Sequence, residues 1–144
     1  MTRNNQQIEA LIFDLGGVLI NLNVQHTLEA FSRLSAKKHE EIVALYQQHN
    51  LFHSYEKGLI SDEDFREGVR DLLQIQAEDH TLDDAWNAMI KDFPQGRLEV
   101  LRKLGEDYRL FLLSNTNNIH LKCVRKVFEP IKQETLEDYF EEAY

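Results

Sequence analysis

The chain of 144 residues contains one cysteine, Cys123, two prolines and six glycines. A single cysteine excludes an internal disulfide framework and a cysteine-built zinc site, and makes a reducing, cytoplasmic compartment the default. So little Pro and Gly, beside 42% hydrophobic and 28% charged residues, excludes collagen-like and low-complexity disordered chains. Positive charge is scarce as well: 16 Lys and Arg stand against 25 Asp and Glu, a formal net charge of −9. Nucleic-acid binders present basic faces, so nucleic acid is not an expected partner. An anionic membrane surface is disfavoured on the same ground. Long apolar runs are missing too. The longest, Ala10 to Phe13 and Leu110 to Leu113, are far too short to cross a bilayer. The stretch Met1 to Gln7 is polar and lacks the apolar segment of a signal peptide. What remains is a soluble globular chain about one ordinary domain long.

Two segments read as buried strands. Ile8 to Asp14 is an apolar run that ends in a carboxylate and then Gly16-Gly17. Arg109 to Ser114 is an apolar run that ends in Asn115-Thr116-Asn117-Asn118. Continuous apolar runs without alternation suit parallel strands covered on both faces. Between them the apolar spacing is helical. Leu28, Phe31 and Leu34 share a face, as do Ile42, Leu45 and Tyr46. Ser61, three residues before Asp64, is an N-cap signal ahead of Phe65, Val69, Leu72 and Leu73. Thr81-Leu82-Asp83-Asp84 is expected to open a further helix with Ala85, Trp86, Met89 and Ile90. Phe93-Pro94 marks a break before a helix with Leu98, Leu101 and Leu104, expected to end at Gly105. The strands lie nearly three times as far apart as a simple βαβ unit of about 30 residues needs. A helical subdomain over 21–93 is therefore expected within an α/β core made of 1–20 and 94–144.

Ligands of open parallel sheets bind beyond the carboxyl ends of the strands. If the two strands are neighbours, Asp14 and Ser114 share one rim. A carboxylate there can act as a nucleophile, a metal ligand or both. The glycines after it let backbone groups approach a ligand closely. Ser114, with the N–H groups of Asn115 and Thr116, can hold an anion beside a helix start. Each feature alone is ordinary, since an Asp after a strand is usually a turn or cap residue. Their order around a helical insertion is more specific.

Leu11-Ile12-Phe13-Asp14-Leu15-Gly16-Gly17-Val18-Leu19 resembles the first motif of the haloacid dehalogenase-like (HAD) superfamily, and Leu112-Leu113-Ser114-Asn115-Thr116-Asn117 resembles its second. The run through His120 is similar to the branch of small phosphatases acting on sugar phosphates and other metabolites. Tyr55-Glu56-Lys57-Gly58 with Ile60-Ser61, and Ala85-Trp86-Asn87, resemble that branch's helical cap. The resemblance implies a doubly wound, Rossmann-like core with an inserted cap. It implies that Asp14 is a nucleophile forming an aspartyl-phosphate. It further implies magnesium on the Asp14 carboxylate and the Gly16 carbonyl, with Gly17, Ser114 and Asn115 at the substrate phosphate. The partner so implied is a small phosphorylated metabolite.

Two departures accompany the resemblance. The family pattern places an Asp two positions after the nucleophile as general acid and base, and Gly16 stands there instead. The third and fourth motifs, a Lys after the next strand and acidic metal ligands after the one beyond, have no counterpart. Leu136 to Phe140 resembles the short helix before the third strand. The chain therefore reads as an incomplete core, with an open edge and one poorly covered sheet face. A dehalogenase, in which Asp14 attacks a carbon bearing halide without metal, and a non-catalytic binding module remain alternatives at this point.

The other polar residues read as structural. His49 and His53 are four apart and could share a helix face, but a third ligand is lacking. Trp86 reads as cap core, Cys123 as a buried small hydrophobe, and His120 as a packing or loop-stabilising residue.

Overall fold

The two apolar runs form adjacent parallel strands in a computed structural model that describes residues 8–129 and 135–144. Strand β1 spans Ala10–Phe13 and β2 spans Arg109–Leu112, paired from Ala10 with Arg109 to Phe13 with Leu112. A short third strand, β3 (Glu142–Ala143), runs parallel to β2, giving the order β1-β2-β3. A 3-10 helix over Leu136–Tyr139 leads into it.

Between β1 and β2 come six helices: α1 (Val24–Leu34), α2 (His39–Gln48), α3 (Asn50–Glu56), α4 (Asp62–Leu73), α5 (Asp79–Asn87) and α6 (Gln95–Asp107). A seventh, α7 (Asn118–Phe128), follows β2. Ser61 caps α4 as its spacing predicts, its hydroxyl accepting the Asp64 N–H at 3.0 Å. Two boundaries differ from expectation. Helix α5 begins at Asp79 because the Glu78 carbonyl already accepts from Thr81 and Leu82, so Thr81 lies inside the first turn. Helix α6 passes through Gly105, its last turn closed by Tyr108 N–H on the Leu104 carbonyl. A helical Gly costs only about 1 kcal/mol relative to Ala, which the packing of Leu98 and Leu101 outweighs.

The chain divides into two units. The helical unit comprises 22–91 and 115–126; the described part of the sheet unit comprises 8–21, 92–114, 127–129 and 135–144. Residues 115–126, placed with the core by the sequence reading, group instead with the helices. The reason is packing: Ile119 belongs to the helical unit's hydrophobic core, and His120 stacks on Trp86.

That core is aromatic. Trp86 is fully buried, with the Phe65 ring at 5.1 Å, Phe52 at 5.7 Å and Phe31 at 6.4 Å. Tyr55 stacks on Phe65 at 4.0 Å. Such pairs add roughly 0.5–1.5 kcal/mol each beyond area burial. On the rim of this core Arg66 grips Asp83 through two bonds, Nε to Oδ1 at 2.8 Å and Nη2 to Oδ2 at 2.7 Å.

In the sheet unit, Leu110 and Leu112 are buried, while Ile8, Ile12 and Leu113 are each more than half exposed. One sheet face is thus covered and the other open. The apolar runs alone predict cover on both faces, whereas among the described residues the face bearing Ile8, Ile12 and Leu113 is open.

Candidate functional site

The rim of the sheet is built by backbone register. Phe13 pairs with Leu112, and the next N–H, that of Leu113, donates to the Phe13 carbonyl at 2.8 Å. Asp14 and Ser114 therefore leave their strands at the same, carboxyl end. The Ser114 N–H donates to the Tyr144 carbonyl at 3.0 Å, which ties the end of β2 to the end of the β3 segment.

Asp14 is exposed. Its Oδ1 accepts the N–H of Leu15 at 2.7 Å, which fixes the carboxylate against its own backbone and leaves Oδ2 for other work. The chain then turns sharply. Leu19 and Ile20 both donate to the Leu15 carbonyl, at 2.9 and 3.0 Å, and Gly17 donates to the Ile20 carbonyl at 2.8 Å. Gly17 sits at φ +74°, a conformation that disfavours a β-carbon although nothing stands within 4 Å of one. With its N–H used inside the turn, Gly17 offers a ligand space rather than a donor. Gly16 is half-buried in the same turn. Buried Leu15, Leu19 and Ile20 anchor the turn from beneath, and Arg97 Nη1 donates to the Leu19 carbonyl at 3.2 Å.

The structure thus gathers Asp14, Gly16, Gly17 and Ser114 in the sheet unit. Asn115, next in the chain and exposed, groups with the helical unit. The paired histidines do not share a helix face. His49 is extended, at φ −94° and ψ 134°, and its Nδ1 accepts the Leu51 N–H at 3.2 Å as the cap of α3. Among the described residues no three His, Cys, Asp or Glu side chains gather as a metal cluster. Cys123 is half-buried, and burial pushes its thiol above the ordinary range.

The sequence reads His120 as a packing or loop-stabilising residue, and the structure supplies its partners. The ring is buried and lies against Trp86, centroids 4.6 Å apart and planes 11° apart. Its Nδ1 is 3.1 Å from Asn117 Nδ2 and its Nε2 is 3.2 Å from the Trp86 carbonyl oxygen. Burial pulls its pKa down to about 4, so the ring is neutral near pH 7.

No protein-family profile matches the chain. Individual relatives do. A HAD-family enzyme from Bacteroides thetaiotaomicron, solved in complex with magnesium and inorganic phosphate, is 40% identical and superposes with a TM-score of 0.86 over 96% of this chain and 68% of its own. The chain belongs to the HAD family. A D-ribitol-5-phosphate phosphatase from the same organism is 25% identical over 137 residues, 95% of this chain. The HAD chain described here spans 66% of that curated relative's length, just under two thirds. An L-2-haloacid dehalogenase from Xanthobacter autotrophicus shares the fold, with a TM-score of 0.54 at 22% identity over 95% of this chain and 56% of its own. No helix among the described residues of this HAD chain is long and apolar enough to cross a membrane.

Proposed function

We propose that the protein is a magnesium-dependent phosphatase of small phosphorylated metabolites, working through an aspartyl-phosphate on Asp14. The observation that carries this reading is the shared rim. An exposed carboxylate and a serine end two adjacent parallel strands in register, in a chain 40% identical to a HAD enzyme that holds magnesium and phosphate. The fold alone does not separate phosphatase from dehalogenase. The much closer likeness to the magnesium–phosphate complex favours the former. The 25% identical ribitol-5-phosphate phosphatase makes phosphorylated polyols the first substrates to try. The single cysteine fits a cytoplasmic setting.

The donor chemistry fits magnesium. Asp14 offers a carboxylate oxygen and Gly16 a backbone carbonyl, both hard oxygens. Magnesium is commonly held by only one or two carboxylates, with waters and phosphate oxygens filling the octahedron. When bound, the ion neutralises charge between carboxylate and phosphate.

The chain's own residues carry the remaining work. Asp14 Oδ2 attacks phosphorus while the ester P–O bond breaks and the alcohol departs. Holding Oδ1 on the Leu15 N–H keeps the carboxylate in one orientation for attack. The Ser114 hydroxyl and the Asn115 N–H donate to the phosphoryl oxygens as charge shifts among them. Water then attacks phosphorus, releases inorganic phosphate and restores Asp14. Position 16 bears no carboxylate, so the leaving oxygen takes its proton from solvent rather than from that residue.

A panel of polyol and sugar phosphates, assayed for phosphate release with magnesium and with chelator, tests the reading. Metal-dependent release supports it. Metal-independent halide release from a 2-haloacid, with no phosphatase activity, overturns it.

A further inference from the structure

The geometry points to His120 as a positioning residue for the anion-binding segment Ser114–Thr116, acting through a clamp on Asn117. This rests on the phosphatase reading for its purpose, but the clamp itself is tested independently of turnover.

The clamp lies within the helical unit. Asn117 Oδ1 accepts twice, from the His120 N–H at 2.9 Å and from the Trp86 indole N–H at 3.4 Å. Two donors on one oxygen fix which way the amide points, so Nδ2 must be the atom facing His120 Nδ1. An amide nitrogen only donates. His120 Nδ1 is therefore an acceptor, the ring proton sits on Nε2, and Nε2–H donates to the Trp86 carbonyl. That carbonyl also accepts the Thr27 hydroxyl at 2.9 Å, and Thr27 Oγ1 in turn accepts the Met89 N–H at 3.0 Å. Thr27 is fully buried and Asn117 is 6% exposed. Every polar atom of the Asn117 side chain and of the His120 ring is used, and in a buried network each loss leaves a partner unsatisfied.

The position of this network in the chain gives it a function. Asn117 is both the side-chain cap of α7 and the end of the segment that begins at Ser114. The start of that segment is held where Ser114 N–H meets the Tyr144 carbonyl. Only Asn115 and Thr116 lie between the two anchors. The Asn115 N–H is the one the proposed mechanism aims at phosphate, the Thr116 N–H follows it in the same segment, and donors contribute to catalysis when their direction is set beforehand. Packing alone requires only an apolar ring against Trp86. The polar edge of His120 does something different: it fixes the residue where the donor segment ends.

The test uses the full chain and three readouts. In the wild-type protein, long-range proton–nitrogen spectra of the His120 ring should show the Nε2–H tautomer; the Nδ1–H tautomer overturns the clamp without any mutation. His120→Leu should lower the NMR order parameters of the Asn115 and Thr116 amides from about 0.85 toward 0.6, while His120→Gln, which keeps a donor and an acceptor, should preserve them. Unchanged order parameters in a folded His120→Leu protein overturn the proposal. In the phosphatase assay His120→Leu should lower kcat/KM about tenfold, with Gln restoring most of it. If the segment loosens as expected but Asp14→Asn leaves turnover intact, the clamp stands and the phosphatase mechanism falls.

Discussion

Leu113 donates its N–H to the Phe13 carbonyl at 2.8 Å, one step before each strand delivers its rim residue. That hydrogen bond sets Asp14 and Ser114 at one end of the sheet. Asp14, the proposed nucleophile, and Ser114, the proposed hydrogen-bond donor to the phosphoryl group, are positioned by backbone pairing rather than by side-chain contacts. Asp14→Asn should therefore abolish phosphatase turnover while leaving the fold intact. The amide is nearly isosteric but a poor nucleophile, and it removes the proposed anionic metal ligand. Circular dichroism checks the fold and phosphate release checks the loss.

Ser114→Ala should do less. It deletes one proposed donor to the phosphoryl group, while the Tyr144 contact uses the Ser114 backbone N–H and survives. Removing one such donor lowers kcat by roughly 10²–10³-fold where it is fully preorganised. Steady-state kinetics on a single phosphate ester measures the drop.

Gly16 lacks the carboxylate that would protonate a leaving group, a contribution typically worth about 10²–10⁴-fold. Turnover should thus rise steeply with leaving-group acidity, aryl phosphates outpacing alkyl phosphates. Gly16→Asp should lower activity, since it adds a second carboxylate two residues from Asp14 that repels the substrate phosphate. A Brønsted plot over a series of esters, run on both proteins, distinguishes this from simple recovery of a lost acid.

The sequence carried the strands, the rim and the Ser61 cap, because each depends on local composition: apolar runs, a terminal carboxylate, a hydroxyl three residues before a free N–H. It did not carry the start of α5 at Asp79, where a backbone carbonyl rather than a recognisable cap side chain opens the helix. Gly105 was a stop signal by propensity, and packing of α6 overrode it. The place of residues 115–126 was hidden for a related reason. It is decided by Trp86 meeting His120, 34 residues away, and no local pattern encodes that contact.

His120 should make stability depend on pH. Its pKa is about 4 in the folded chain against an ordinary 6.5, so the unfolded chain binds more protons between those values. Its contribution is complete above about pH 6.5 and is lost progressively as pH falls toward 4, by up to about 3 kcal/mol. Urea unfolding at intervals from pH 7 to pH 4 should show this loss, and His120→Gln should flatten it.

Arg66 and Asp83 form a two-pronged pair that is mostly shielded, with side chains 18% and 25% exposed. Neutralising Asp83 removes the short two-pronged partner and leaves Arg66 facing Asp79 at the longer distance of 3.7 Å. Asp83→Asn should destabilise the helical unit by about 1–3 kcal/mol, read as a lower urea midpoint with unchanged slope.

The central claim is a phosphoryl group carried on Asp14. Acid-quenching the protein during turnover of a phosphorylated polyol with magnesium, then mapping peptides by mass spectrometry, addresses it directly. The account predicts one phosphoryl group on the peptide containing Asp14, labile to hydroxylamine and absent from the Asp14→Asn protein. Sustained turnover with no adduct on that peptide, or full turnover by Asp14→Asn, would contradict it.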